Sequence, residues 1–195
     1  MMAFCFRINS RMICVICVIC VIRGKKISLI MEIKIIPATL HHLTGILNIV
    51  NHAITHTTAV YDYDERSYAE METWLLDKLA ANWPVVVAEQ AGEVLGYASY
   101  GTFRFKEGFK YTVEHSVYVK DGQTGKGIGQ MLLNELITLA KAQNYHTMIG
   151  CIDASNEGSI AFHKKFGFTE NGILKESGYK FNRWLDLLFM QLILE

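Results

Sequence analysis

The sequence predicts a single α/β domain (an α+β mixed sheet), with helices packed on a central sheet. Segments with the two-residue apolar period of a strand alternate with segments that have the period of a helix. A glycine-rich turn joins one such strand to an amphipathic helix, and no stretch rich in Gly, Pro or Ser divides the chain. About half of the 195 residues are hydrophobic (51%), which is enough for one sizeable core.

The first elements are a strand and two helices. Residues 32–36 have the composition of a short strand, and a proline stops it. Thr39 is placed to cap a helix that runs to about His52, because a threonine oxygen can accept from the free amides of the first turn. Ser67 is placed in the same way before a second helix, which runs to about Ala81 and has apolar residues every three or four positions.

Three consecutive strands are predicted next, from runs of β-branched and aromatic residues. They cover residues 85–89, 94–103 and 111–119. The dipeptide Ala91-Gly92 separates the first two strands, which predicts a tight hairpin turn. A looser segment, Arg104–Lys110, joins the second strand to the third. The order of elements to this point is β-α-α-β-β-β.

The remaining elements return to an alternation of helix and strand. A helix is predicted from about Gly127 to Gln143, followed by a strand at 146–152 and a helix at 156–166. Two more strands complete the prediction, a short one at 168–170 and a longer one at 184–194. The whole order is β-α-α-β-β-β-α-β-α-β-β.

Residues 1–30 differ from residues 31–195. They repeat Cys-Val-Ile three times at 14–22, in an apolar run of about eleven residues, whereas crossing a bilayer takes about 20. A signal peptide or part of a metal motif are the alternatives, but neither a small-residue cleavage site nor matching ligands follow. We interpret residues 1–30 as a low-complexity extension without a catalytic role. Loss of activity from a folded protein that begins at Met31 would contradict this interpretation.

Charge and cysteine content divide at the same place. Residues 1–30 carry five bases, no acid and four of the five cysteines, so residues 31–195 have fourteen bases against nineteen acids, a net charge of −5. An acidic body has no general attraction for nucleic acid or anionic membranes, and neither partner is expected. The single cysteine of the body, Cys151, indicates a reducing, cytoplasmic compartment, and we expect it to be a core strand residue.

The turn before the third helix is the most informative stretch of the sequence. It reads Gln123-Thr124-Gly125-Lys126-Gly127-Ile128-Gly129. Glycines let backbone amides converge without a Cβ in the way, and the helix N-terminus adds the positive end of its dipole, which suits a phosphate or pyrophosphate. A P-loop needs Gly-Lys followed by Ser or Thr, and a dinucleotide fingerprint needs G-x-G-x-x-G, so the turn matches neither. A glycine-rich connection without a ligand is the alternative.

Five motifs occur in order along the second half of the chain. They are Glu114–Val119, the glycine turn, Asn156–Ser159, His163–Phe168 and Lys180–Asp186. Together they resemble the phosphinothricin N-acetyltransferase branch of the GNAT superfamily, which includes acetyltransferases of methionine sulfoximine and related amino acids. The resemblance covers residues 31–195 and implies the GNAT fold, in which two central strands splay apart and acetyl-CoA enters the gap.

The resemblance also implies where the cofactor binds, and it implies no metal. The residues expected to contact the pantetheine arm are Val117, Tyr118, Val119 and Asn156. The residues expected to hold the pyrophosphate are Thr124, Gly125, Lys126, Gly127, Ile128 and Gly129. Lys164 or Lys165 is expected to pair with a CoA phosphate; a lysine that is merely solvated is the alternative. Thr124 stands where the family has Arg or Gln, which leaves that side-chain contact open, with the adjacent Gln123 as the alternative source; the backbone amides remain.

Acetyl transfer to nitrogen needs a base, because an ammonium must lose a proton before its nitrogen can attack. Glu114 stands in the family position assigned to that role. His163 follows Asn156 by seven residues and could protonate the departing CoA thiolate, act as a second base or bond to Glu114; a histidine that is merely packed is the alternative. The segment expected to contact the substrate contains Arg104, Lys106, Glu107 and Gly108, where a cation would suit a carboxylate or phosphinate.

The resemblance therefore predicts an acetyl-CoA-dependent N-acetyltransferase that acts on a small amino-acid-like amine, as a homodimer. Two other functions fit the same fold. A peptide or protein N-acetyltransferase would need an open groove where a small-amine enzyme has a closed cavity. A CoA-binding module without catalysis would not need Glu114, His163 and Asn156 together.

Overall fold

Seven strands and four α-helices follow one another in the predicted order in the computed structural model, which describes residues 32–195. The interpretation of residues 1–30 as an extension lies outside the described residues. The strands are β1 (Lys34–Pro37), β2 (Val85–Gln90), β3 (Glu93–Thr102), β4 (Thr112–Val119), β5 (Thr147–Asp153), β6 (Thr169–Lys180) and β7 (Arg183–Ile193). The helices are α1 (Leu43–His56), α2 (Tyr68–Ala80), α3 (Ile128–Ala142) and α4 (Glu157–Lys164).

The seven strands form one mixed sheet in the order β1-β2-β3-β4-β5-β7-β6. Strands β4 and β5 are parallel neighbours, and their pairing runs over three positions, from Thr112–Thr147 to Glu114–Ile149. β4 continues for five residues beyond Glu114, and β5 continues to Asp153. The two strands therefore separate in the middle of the sheet, which is the splay that the resemblance implies.

The sheet separates two hydrophobic cores. Successive residues of β2 face opposite sides, so that Val86 and Ala88 join the core under α3, while Val85 and Val87 join the core under α1 and α2. α4 packs against the α3 core through the partly buried Ile160 and Phe162. Within residues 32–195, no helix combines the length and apolarity that crossing a bilayer takes.

The described elements correct two predictions of extent. β6 runs over twelve residues, Thr169–Lys180, where a strand of three was predicted, because it pairs with β7 along its length across two register shifts. The first helix starts later and ends later than predicted: Leu40–His42 forms a 3-10 turn, and α1 continues to His56. Ser67 caps α2 as predicted, since its side chain accepts from the Glu70 amide.

Candidate active site

A cavity of about 460 Å³ occupies the gap between β4 and β5. Residues 114–118 of β4 and 150–153 of β5 form two of its walls. Residues 58–61, which follow α1, form a third wall, and α4 and β7 close the remaining sides. The parallel pairing ends at Glu114, so the cavity begins where the two strands part.

The edge of β4 that faces this cavity offers backbone groups for binding. From Val117 to Val119, β4 pairs with β3 on one side, but its parallel pairing with β5 has already ended. The backbone groups on the β5 side therefore have no strand partner within residues 32–195, so they can bond to an extended ligand as they would to another strand. Val117 and Tyr118 line the cavity, and Val119 lies one residue beyond it.

Glu114 stands at the point where the strands part. Its side chain is 37% exposed, and Oε2 lies 4.0 Å from Arg104 Nη1. Cys151 of β5 lines the same cavity and is half-buried, which corrects the expectation of a core residue. Burial raises the pKa of the Cys151 thiol to about 12, and the charge of Glu114 and a hydrogen bond to it add to this effect. Cys151 therefore stays a protonated thiol beside the carboxylate.

The glycine turn adjoins one end of the cavity. Gly125 and Gly127 have φ values of 77° and 81°, in the left-handed region that glycine adopts readily, and Gly127 is the N-cap of α3. A Cβ on Gly129 would lie 3.6 Å from the Phe162 ring, which itself lines the cavity. The first amides of α3 thus point out of the helix next to the gap, in the arrangement that binds anions.

The structure brings some predicted residues together and leaves others apart. Glu114, Val117, Tyr118, Asn156, His163 and Arg104 line one cavity. The residues predicted to bind CoA or substrate that lie outside its wall are Val119, Thr124, Gly125, Lys126, Gly127, Ile128, Gly129, Lys164, Lys106, Glu107 and Gly108. Among these, the Lys164 ammonium pairs with Glu170 at 2.6 Å, and the Lys126 ammonium donates to Gln123 Oε1 at 2.7 Å.

The splayed strands, the free edge of β4 and the glycine turn form one arrangement, and comparison with known proteins gives it a family. The family model described as "Acetyltransferase (GNAT) domain" matches residues 35–189. The chain belongs to the GNAT acetyltransferase family.

Relatives and a solved structure agree with this assignment. The chain is 46% identical over 166 residues to an L-methionine sulfoximine/L-methionine sulfone acetyltransferase of Pseudomonas aeruginosa, covering 85% of this chain and 96% of the relative. It is 33% identical over 150 residues to a phosphinothricin N-acetyltransferase of Alcaligenes faecalis, covering 76% of each. A GNAT superfamily phosphinothricin acetyltransferase from Sinorhizobium meliloti, solved in complex with acetyl-CoA, has a TM-score of 0.81 at 34% identity and covers 84% of this chain and 89% of its own.

Two histidines of this GNAT enzyme meet at the cavity. A Cβ on Gly150 would lie 3.1 Å from His115 Nε2 and 3.4 Å from His163 Nε2, and the two rings are 5.1 Å apart. His163 Nδ1 lies 2.7 Å from the Ser159 carbonyl oxygen. Because a carbonyl accepts, Nδ1 carries the proton, and Nε2 of the neutral ring is left as an acceptor.

Burial keeps both imidazoles neutral. Desolvation, with a smaller effect from His163, lowers the pKa of His115 to about 3, and desolvation also lowers the pKa of His163. Neither His115 ring nitrogen has a hydrogen-bond partner among the described residues. The GNAT site therefore contains a neutral, buried histidine that the sequence did not single out.

This burial predicts a loss of stability in acid. Between pH 6.5 and 3 the unfolded chain protonates His115 but the folded chain does not, so the free energy of unfolding falls with decreasing pH. The slope from this group reaches about 1.4 kcal/mol per pH unit, is about half of that at pH 6.5, and fades to nothing about one to two pH units above it. Urea unfolding at pH 7, 6 and 5 should show a shallower pH dependence for His115→Leu than for the parent. His41 is exposed, so His41→Leu is the control; equal slopes for all three proteins would contradict the argument.

The wall formed by residues 58–61 was largely missed by the sequence analysis. Burial alone would raise the pKa of Asp153, but hydrogen bonds from the Thr58 hydroxyl and from Ser155, with the Arg183 guanidinium, hold it below its usual value. Burial and the Asp153 charge raise the pKa of Tyr61. An ionised aspartate and a protonated tyrosine thus line the cavity.

Proposed function

We propose that this GNAT enzyme transfers the acetyl group of acetyl-CoA to the primary amine of a small amino-acid-like substrate, of the methionine sulfoximine or phosphinothricin type. The observation that carries the proposal is the cavity itself, in which the Glu114 carboxylate and the Arg104 guanidinium lie in the gap between β4 and β5. The substrates in the names of the relatives at 46% and 33% identity support the same class of amine.

Acetyl-CoA would lie along the free edge of β4. The backbone of Val117–Val119 would bond to the pantetheine arm, and Asn156 would contact it from α4. The amides of the turn from Thr124 to Gly129 would hold the pyrophosphate, where the α3 dipole favours negative charge. The Lys164 ammonium is paired with Glu170, so its pairing with a CoA phosphate would require that ion pair to open. The cofactor's thioester would then reach the cavity beside Glu114 and His163.

The reaction needs no covalent intermediate on the enzyme. Glu114 would take one proton from the substrate ammonium, and the freed nitrogen lone pair would attack the acetyl carbonyl. The resulting oxyanion would be held by a backbone amide near Val119. As the C–S bond breaks, His163 Nε2, an acceptor in the neutral ring, would accept the second nitrogen proton and pass it to the CoA sulfur. The products would be the amide and CoA thiol, with the first proton released from Glu114 to solvent.

The shape and charge of the cavity favour a small substrate. At about 460 Å³ it has the size of a small-molecule site, and part of it must hold the acetyl end of the cofactor. The Arg104 guanidinium can pair with the substrate carboxylate, because a planar fork of donors matches two carboxylate oxygens. Lys106, Glu107 and Gly108 follow Arg104 and remain predicted substrate contacts.

A homodimer in a reducing, cytoplasmic compartment is part of the proposal. β6 is an edge strand with exposed Ile173 (44%) and Leu174 (51%), and the adjoining Phe181 (51%) and Trp184 (61%) extend the apolar surface. A second copy of the chain would cover these side chains. Sedimentation equilibrium at micromolar concentration should give twice the chain mass, and a monomer would contradict this part of the proposal.

Thiol-release kinetics with acetyl-CoA test the substrate class. The panel contains methionine sulfoximine, methionine sulfone, phosphinothricin, a polyamine and short peptides with a free N-terminus. We expect the highest kcat/KM among the three amino-acid analogues. Faster turnover of the peptides would favour a peptide N-acetyltransferase, and acetyl-CoA binding without turnover of any amine would favour a module without catalysis.

A further inference from the structure

Lys180 is a buried lysine in a motif that the reaction leaves unexplained. Lys180 is only 2% exposed. It is the last residue of β6 and is far along the chain from the residues it contacts. We propose that Lys180 is a positioning residue that holds the loop of residues 57–61 against the substrate end of the cavity, and so determines how tightly the amine binds. This inference rests on the proposed function of the cavity.

A tight turn places Lys180. Phe181 and Asn182 have φ values of 51° and 57°, and Lys180 pairs directly with Arg183 across the β6–β7 hairpin. Two central residues with positive φ are the mark of a two-residue hairpin turn of type I′. The turn ends β6 at Lys180 and fixes the backbone from which its side chain extends under the end of α1.

The ammonium group uses all three of its donors on the end of α1 and on this loop. It donates to the carbonyl oxygens of Ile54 at 2.6 Å and Thr57 at 3.0 Å, and to that of Val60. Ile54 belongs to the last turn of α1, where carbonyls lack helical partners and the helix dipole favours a cation. One side chain thus connects the end of the helix to two points of the loop that follows it.

Two neighbours of Lys180 in β6 contact the last residue of this loop, Tyr61, and Tyr63 just beyond it. The Tyr63 hydroxyl donates to the Tyr179 carbonyl oxygen. A Cβ on Gly178 would lie 2.5 Å from Tyr61 Cε2, so the ring of Tyr61 lies directly on the Gly178 backbone. Three successive residues of β6 therefore hold residues 57–63 by contacts of different kinds.

The held loop lines the cavity in which the proposed function places the amine. Residues 58–61 line it together with Glu114 and Arg104, and the Thr58 side chain helps to lower the pKa of the buried Asp153 carboxyl. The glycine turn and the free edge of β4, which would bind the cofactor, belong to other elements of the fold. Loosening the loop should therefore change the binding of the amine more than the binding of acetyl-CoA.

The test is Lys180→Met, which keeps an unbranched side chain but removes all three donors. We expect KM for methionine sulfone to rise about 10-fold or more, because displacing a substrate wall by about 1 Å has effects of this order, while KM for acetyl-CoA changes less than about twofold. Amides of residues 57–63 should also exchange hydrogen faster. Lys175→Met is the matched control, since Lys175 also lies on β6 but its side chain is 74% exposed.

A second variant keeps the proposal testable if Lys180→Met does not fold. Gly178→Ala leaves Lys180 in place but pushes the Tyr61 ring, and it should raise KM for the amine in the same selective way. If the variants lose thermal stability but keep the parent's KM for both methionine sulfone and acetyl-CoA, Lys180 has only a structural role, and the inference is overturned. If the parent enzyme acetylates no amine, the proposed function fails, and unchanged exchange at residues 57–63 would separately overturn the anchoring by Lys180.

Discussion

Replacing Glu114 by glutamine is expected to lower kcat by about 10²- to 10⁴-fold, the range that general-base catalysis supplies. Glutamine has the size of glutamate but cannot take the ammonium proton, so the substrate nitrogen would remain without a lone pair. Acetyl-CoA should bind with unchanged affinity, because the cofactor groups come from the β4 edge and the glycine turn. Steady-state thiol release gives kcat, and titration calorimetry gives the affinity.

Two results of this experiment would contradict the role of Glu114. A variant that turns over as fast as the parent would show that another group removes the proton. A variant that loses acetyl-CoA binding in proportion to activity would indicate that Glu114 shapes the cofactor site. Arg104→Gln is the matched variant, because the Arg104 guanidinium lies 4.0 Å from the Glu114 carboxylate. It should raise KM for amines that carry a carboxylate and leave the transfer step largely intact.

Replacing Gly127 by valine is expected to weaken acetyl-CoA binding by about 10²-fold. Gly127 has a φ of 81°, which costs a β-branched residue about 1–2 kcal/mol, and its open Cβ position lies where the pyrophosphate would sit. Losing charge-assisted hydrogen bonds worth about 3 kcal/mol corresponds to that factor. Calorimetry with acetyl-CoA measures the dissociation constant directly.

Gly122 provides a control for the backbone strain. It has a φ of 72°, and a Cβ there would also meet nothing within 4 Å, but it precedes the turn that starts at Thr124. Gly122→Val should therefore lose a similar amount of stability while keeping most of its affinity for acetyl-CoA. Equal losses of affinity in both variants would show that the strain, and not the site, is responsible.

The order of the elements was predictable from the sequence, but the extent of β6 was not. Apolar periodicity and the cap at Ser67 reflect local physics, which acts on the chain wherever it lies. Residues 171–178 of β6 include Asn, two glycines and Ser, are largely exposed, and contain two register shifts. They form a strand because β7 lies beside them, and no alternating pattern in the sequence reports that neighbour.

The candidate site was predictable only in part, because some of its residues belong to recognisable motifs while others depend on contacts between distant parts of the chain. Glu114, Asn156 and His163 belong to motifs that the family resemblance identifies, and the structure places all three on one cavity. The contact of Lys180 with Ile54 spans 126 residues and depends on how the fold brings the end of β6 to the end of α1, so the sequence carries no local signal for it. Cys151 was assigned to the core because it lies in an apolar strand; the splay of β4 from β5 turns it toward the cavity instead.

Direct transfer within one cavity is the central claim, and initial-rate kinetics test it most directly. Acetyl-CoA and methionine sulfone are varied together, for the parent and for Cys151→Ala. Both proteins should give intersecting double-reciprocal lines, because both substrates must be bound before the acetyl group moves and the Cys151 thiol stays protonated with a pKa of about 12. Parallel lines for the parent, together with an acetylated Cys151 and an inactive Cys151→Ala variant, would contradict the mechanism.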